Sequence, residues 1–265
     1  RVGTKWLTNI LQKIEDGRRS RDFGSNNEDR ESNVDTSRGL AFQASKAVGA
    51  SHHLTYGFDH YEDEVESSRT RTDIVTGATS VRAPRFPDGS TMSQTGAFVA
   101  DDWSVGEQLD VLGGVRWSTS RTRLPASSEF AATNVEDDGF TGNLGVARAL
   151  TDSVRLIANL GQGFRAPNVF DLGTYGDRPG NRFNVPNPDL EPEQVTTLDA
   201  GWKVLNDRLE GEFIGYYSRY RDKITSVLTG EVTDSGRLVV QSQNAARLVL
   251  YGAEFSLRHR LSDAV

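Results

Sequence analysis

The sequence predicts an all-β protein, an antiparallel transmembrane β-barrel of which about ten strands are present. Three observations predict it: apolar residues recur with period two, tight turns alternate with long polar stretches, and no apolar run reaches the roughly 18 residues of a membrane-spanning helix.

The period-two pattern is clearest in the second half. In EQLDVLGGVRWSTS, Leu109, Val111, Gly113, Val115 and Trp117 share one face, and Asp110, Gly114, Arg116 and Ser118 share the other. Val154, Leu156, Ala158 and Leu160 likewise oppose Arg155, Asn159 and Gly161. Tyr251, Ala253, Phe255 and Leu257 oppose Gly252, Glu254, Ser256, Arg258 and Arg260. Each strand therefore has one apolar face and one charged or small face, as a barrel with lipid outside and a polar lumen requires.

The connections supply the sidedness. Short links fit for tight turns are expected at Val48-Gly49-Ala50, Val105-Gly106, Leu150-Thr151-Asp152 and Asn206-Asp207. Long polar stretches are expected near 17 to 35, 62 to 92, 120 to 137, 165 to 192 and 225 to 240. Strict alternation places every long stretch at one end of the sheet, the arrangement of short periplasmic turns and long extracellular loops. Several strands read longer than the roughly 9 to 11 residues that cross a bilayer, so they are expected to project beyond it. Trp103, Trp117, Trp202, Phe213, Tyr217 and Tyr251 are candidates for interfacial aromatic girdles.

Composition narrows the function. Hydrophobic residues make up 36% of the 265, and the mean hydropathy is −0.52, a polarity that suits a barrel as well as a soluble chain. The net charge of −7, with both signs interspersed, argues against nucleic acid as a ligand. With no cysteine, disulfides, thiolate metal sites and cysteine nucleophiles are excluded. Residues 1–265 are expected to be an internal fragment of a barrel domain, with its remaining strands lying elsewhere, since the first residues resemble neither a signal peptide nor a protein start.

Two boxes punctuate the stretch after the strand at 152 to 164. Gly163-Phe164-Arg165-Ala166-Pro167-Asn168 comes first, and Asn187-Pro188-Asp189-Leu190-Glu191-Pro192-Glu193 follows. Each proline removes a backbone donor, so each box ends ladder pairing at one rim of a long loop. Together with GAFVADDW, LDVLGGVRW, LDAGWKV, GEFIGYYSRYRDKI and QNAARLVLYGAEFSL, the boxes resemble the TonB-dependent receptors of Gram-negative outer membranes. That resemblance implies a barrel of about 22 strands closed by an N-terminal plug domain. It also implies outer-membrane lipid as surroundings, TonB as the energising partner through the missing N-terminal part, and no resident cofactor. The C-terminal strands would be missing too.

Phe164-Arg165-Ala166-Pro167, Asn187-Pro188-Asp189-Leu190 and the segment RAPRFPDGSTMSQTGAFVADDW lean toward the haem and haemoglobin branch. The implied cargo is haem, taken also from a host haem protein, or a ferric siderophore, since similar boxes occur in siderophore and cobalamin receptors. Between the boxes there is no histidine; Tyr175 is the residue there with haem-ligand precedent, or else an ordinary loop tyrosine. Arg165, Arg178 and Arg182 are candidates for holding carboxylate or propionate groups, or belong to a solvated surface. His52, His53 and His259 fall at the turn end and His60 points outward, so no metal site is expected. Glu62, Asp63, Glu64 and Glu66 read as a soluble rim or a divalent-ion site. A passive porin, an adhesin barrel and a barrel enzyme share the strand pattern; no G-x-S-x-G or H-E-x-x-H motif supports the last.

Overall fold

A computed structural model of the chain describes residues 2–22, 26–129 and 131–261. Successive antiparallel hairpins build one sheet from β1 (Val2–Asp22), β2 (Asn27–Val48) and β3 (His52–Asp73). A short β4 (Thr79–Arg82) folds back on β3, and β5 (Ser90–Val105) continues the wall. β6 (Leu109–Leu124), β7 (Thr133–Thr151) and β8 (Val154–Arg165) follow. After α1 (Val169–Gly173), β9 (Gly176–Arg178) and β10 (Arg182–Val185), the wall resumes with β11 (Glu193–Leu205), β12 (Leu209–Val232) and β13 (Leu238–His259). Among the described residues, ten long strands thus pair in chain order and β1 does not meet β13, so the sheet is an open part of a barrel wall.

The four short turns fall where the sequence places them, after β2, β5, β7 and β11. Gly49 and Gly106 adopt φ of 68° and 70°, a left-handed conformation that a glycine takes without a Cβ penalty. The long stretches differ from expectation. β1 to β3 and β12 to β13 carry on as strands through most of 17 to 35, 62 to 73 and 225 to 240. The first two read as loops because both faces are mostly polar there, and the third because Gly230, Gly236 and polar residues interrupt its exposed Leu228, Val232 and Leu238. The tip at 23–25 and residue 130 lie outside the described residues. The longest segment to leave the wall is 166–192, and it leaves where the wall is lowest: β8 and β11 have 12 and 13 residues against 22 for β2, β3 and β13.

The two faces follow the predicted parity. Leu160, Leu198, Tyr217 and Tyr251 are consecutive cross-strand partners, and all four are exposed, an apolar row suited to lipid. Trp103, Trp202 and Phe213 sit two to four residues from the turn end, with Trp202 stacked on Phe213 at 4.7 Å. Trp117, Tyr217 and Tyr251 lie about eight residues up. On the opposite face Arg116 reaches across Gly96 to Asp59 with two bonds of 2.8 Å, and a Cβ at residue 96 would collide with the guanidinium. His52 stacks on Trp103 and bonds Asp101 at the turn end, while exposed His60 bonds Thr95, both structural roles. Glu62, Glu64 and Glu66 are exposed on the outer face while Asp63 faces the lumen, so that acidic group does not converge.

Candidate functional site

The segment between the two boxes folds into the lumen, and the boxes are its fastenings. Arg165, last in β8, and Glu193, first in β11, are register partners. The Arg165 Nε and one Nη donate to the two Glu193 oxygens at 3.0 and 2.9 Å, and the other Nη donates to Asp171 at 2.6 Å. Glu193 also accepts from Lys223 Nζ and from the Ile224 N–H, each at 2.8 Å. Burial opposes ionisation of this carboxyl, but the donors from Arg165, Lys223 and Ile224 outweigh it and hold its pKa down at about 2. Both residues lie beyond the 9 to 11 strand residues that cross a bilayer.

Past Arg165 the chain turns inward. Asn168 caps α1 reciprocally: its side chain accepts from the Asp171 N–H at 2.9 Å, and Asp171 accepts from the Asn168 N–H at 3.1 Å. Val169 and fully buried Leu172 then join Leu124, Leu190 and Ile224 in a small core, flanked by Val65, Phe86 and Val135. Pro167 is buried, and its carbonyl accepts from Thr122 at 3.2 Å. The Phe164 ring covers Gly139, where a Cβ would come within 3.0 Å.

The second box closes the excursion. The Asn187 N–H bonds the Leu172 carbonyl at 3.0 Å and its side chain bonds the Ser242 carbonyl at 2.8 Å. Asn244 is bonded to Glu191 in both directions, at 2.9 and 2.8 Å. Leu190 is buried, whereas Pro188 and Asp189 are exposed. Between the boxes, β9 and β10 form a small hairpin, and β10 pairs in parallel with Leu238–Gln241 of β13. Asp177 of this hairpin is ion-paired with Arg237 and lies 3.8 Å from Arg69, whose other partner is Asp29 at 2.7 Å. Arg71 also binds Asp29, and these donors, against the effect of burial, hold the Asp29 pKa at about 2.

A cavity of about 680 Å³ remains between this segment and the upper halves of β1 to β3 and β5, within the size range of small-ligand sites. Val34, Val65, Phe86, Met92, Val169 and Phe170 give it apolar walls; Arg85, Asp35 and Asp63 supply charge. A smaller cavity on the other side of Arg85 and Phe170 is lined by Arg178. Arg165 and Arg178 are thereby brought to the cavities, the first with its guanidinium already bound by carboxylates. Arg182 is exposed beside Arg178 on the hairpin. Tyr175 lines neither cavity: its hydroxyl donates to Glu129 at 2.7 Å, its ring meets Phe183 edge-on, and burial with the Glu129 contact pushes its pKa up to about 12.

Sequence reading missed Arg85 and Phe86. Their signal is the run Pro84-Arg85-Phe86-Pro87, in which two prolines stiffen a loop around one cation and one ring. Pro87 is fully buried, and the Arg85 carbonyl accepts from the Tyr175 N–H at 2.8 Å.

The family model described as TonB dependent receptor-like, beta-barrel, matches residues 4–264. This chain belongs to the TonB-dependent receptors. Among its relatives, the hemin receptor of Yersinia enterocolitica is 29% identical over 174 residues, covering 62% of this chain and 23% of the relative. The ferric aerobactin receptor of Klebsiella pneumoniae is 19% identical over 239 residues, covering 77% and 32%. The chain thus spans about a quarter to a third of the curated relatives it matches. The copper transporter OprC shares the fold, with a TM-score of 0.74 at 20% identity over 89% of this chain and 36% of that one.

Proposed function

We propose that this TonB-dependent receptor chain is the ligand-facing part of an outer-membrane active transporter for an iron-bearing ligand, haem or a ferric siderophore. The supporting observation is the inward fold of segment 166–192, which both boxes fasten across the lumen and which walls a ligand-sized cavity. The loop end of the sheet would be extracellular and the turn end periplasmic. Ligand would be captured from the medium, directly or from a host haem protein, and released inward by a plug coupled to TonB. No covalent step is required: transport needs only a difference in ligand affinity between two conformations. The relatives whose names specify hemin and ferric aerobactin support iron-bearing cargo.

The test is complementation. The full-length receptor is expressed in a Gram-negative strain lacking its own haem and siderophore receptors, and growth on hemin or ferric siderophores as sole iron source is scored. Growth that disappears when TonB is deleted supports active uptake. Equal uptake with and without TonB would replace it with the porin reading, and no uptake of any ferric ligand would favour an adhesin barrel.

A further inference from the structure

One cation beside the cavity is held in an unusual way. Arg85 lies over a pair of touching phenyl rings, its guanidinium carbon 5.4 Å from the Phe86 centroid and 5.5 Å from that of Phe170, with the two rings 6.0 Å apart and tilted by 49°. Among the described residues it makes no ion pair, unlike Arg165, which binds Glu193 and Asp171, and Arg18, which binds Asp16 at 3.5 Å. A guanidinium stacked on rings keeps its in-plane N–H donors available for an anion. Burial, and after it the neighbouring Arg18, weakens its hold on the proton, an effect that Glu31 and Asp16 offset only in part.

The strand wall of β2 and β3 has the contrary character. Asp35 and Asp63 both line the cavity, and Asp35 Oδ1 is shielded from solvent without a hydrogen-bond partner. Of the other charged lining residues, Arg18 and Asp16 neutralise each other and Arg165 is held by Glu193 and Asp171, so an anionic group is repelled by Asp35 and Asp63 and attracted at Arg85. The cavity is therefore polarised, with apolar walls between its poles and Phe170, half-exposed, presenting a ring to it. A flat ring bearing an anionic oxygen satisfies all three features: the ring stacks on the exposed face of Phe170, the oxygen takes the Arg85 donors, and the apolar edge lies against Val65 and Met92.

We propose that Arg85, resting on the Phe86–Phe170 ring pair, is the anion-recognition residue of this cavity, and that it selects ligands whose carboxylate or phenolate oxygen is carried on a flat ring. This rests on the uptake reading and adds the ligand chemistry to it. A tetrapyrrole carboxylate and a catecholate both supply that chemistry, whereas an aliphatic carboxylate lacks the ring.

Quenching of intrinsic fluorescence of the purified full-length receptor tests it with three probes: hemin, ferric enterobactin and ferric citrate. Hemin or ferric enterobactin is expected to bind, with the preferred one showing which ring source is used. Arg85→Gln should weaken that probe at least tenfold and Phe170→Leu several-fold. Arg85→Lys, which keeps the charge but loses the planar fork, should fall between wild type and Arg85→Gln. Heat-modifiable migration of the barrel serves as the folding control, and Arg85→Lys keeps the test decisive should Arg85→Gln fail it. Ring-bearing probes binding all variants as tightly as wild type would overturn the inference and leave uptake standing. Equal loss of ferric citrate binding in Arg85→Gln would overturn the ring requirement. Wild-type receptor that binds none of the probes would overturn the uptake reading and this inference with it.

Discussion

Arg165 and Glu193 face each other as the last residue of one strand and the first of its neighbour, joined by two parallel bonds of 3.0 and 2.9 Å. A bidentate pair at this place does what neither box could do by itself: it closes the lowest point of the wall and brackets the segment that folds inward. Arg165→Gln removes the bidentate contact and the Asp171 bond, but Glu193 keeps Lys223 and the Ile224 N–H, so no buried charge is orphaned. The expected cost is about 1.5–3 kcal/mol, the range for hydrogen bonds to charged groups. It should appear as faster hydrogen exchange in residues 166–192 of the full-length receptor, with exchange in β5 and β6 unchanged.

The same pair predicts a pH response. The Glu193 pKa in the folded protein is about 2, below its ordinary value of 4.5. A lowered carboxyl contributes stability that is fully present above the ordinary value and is lost as pH falls through the folded one. Protection of segment 166–192 is therefore expected to be flat from pH 8 to about 5 and to decline between about 4 and 2. Asp29, also held at about 2, should give a parallel decline in the β2–β3 hairpin, where Arg69 and Arg71 bind it. Glu193→Gln should abolish the first decline and leave the second; an unchanged profile in that variant would refute the assignment.

Parity made much of this fold legible. The faces of β6, β8 and β13 follow from alternation alone, because one lipid-facing and one lumen-facing side leave each strand a single workable register. That strands project beyond the bilayer was legible, but not how far, since at the loop end of β2 and β3 both faces are mostly polar and the apolar signal ends while the ladder continues. The boxes were legible as strand ends, but not as fastenings: the contacts of Asn187 to Ser242 and Glu191 to Asn244 join residues more than 50 positions apart. Arg85 was hidden for the same reason, as its second ring, Phe170, comes from a different loop.

Tyr175 separates haem-ligand candidates from structural tyrosines. A phenol must lose its proton to bind ferric iron as phenolate, and burial with the Glu129 contact, which raise the Tyr175 pKa from 10 to about 12, make that loss harder than for an ordinary tyrosine. Tyr175→Phe is expected to cost about 0.5–1.5 kcal/mol in loop stability for the lost hydrogen bond and to leave the absorption spectrum of a hemin-loaded receptor unchanged. A shifted Soret band in that variant would return Tyr175 to the iron.

Leu172 tests whether the small core, rather than the polar fastenings, sets the position of the segment. It is fully buried among Leu124, Val169, Leu190 and Ile224, so Leu172→Ala should cost about 2–5 kcal/mol locally. Cleavage by a soluble protease should then become fast between residues 166 and 192 while the barrel remains heat-modifiable. Cleavage no faster than in wild type would show that the hydrogen bonds of the boxes suffice.

The lipid-facing assignment of the outer rows can be tested on one strand. Leu198 stands on the exposed apolar row with Leu160, Tyr217 and Tyr251, seven residues above the end of β11, whereas Val204 has the same parity one residue from that end. If lipid covers this face, an arginine costs most near the bilayer midplane, about 2–4 kcal/mol, and about 0–1 kcal/mol near the interface. Leu198→Arg in the full-length receptor should therefore lower folding stability in vesicles, by denaturant titration, several kcal/mol more than Val204→Arg. A face exposed to water would tolerate both alike, because an arginine on a hydrated strand surface loses neither solvation nor packing. The depth dependence, rather than the size of either single effect, distinguishes a membrane wall from a soluble sheet.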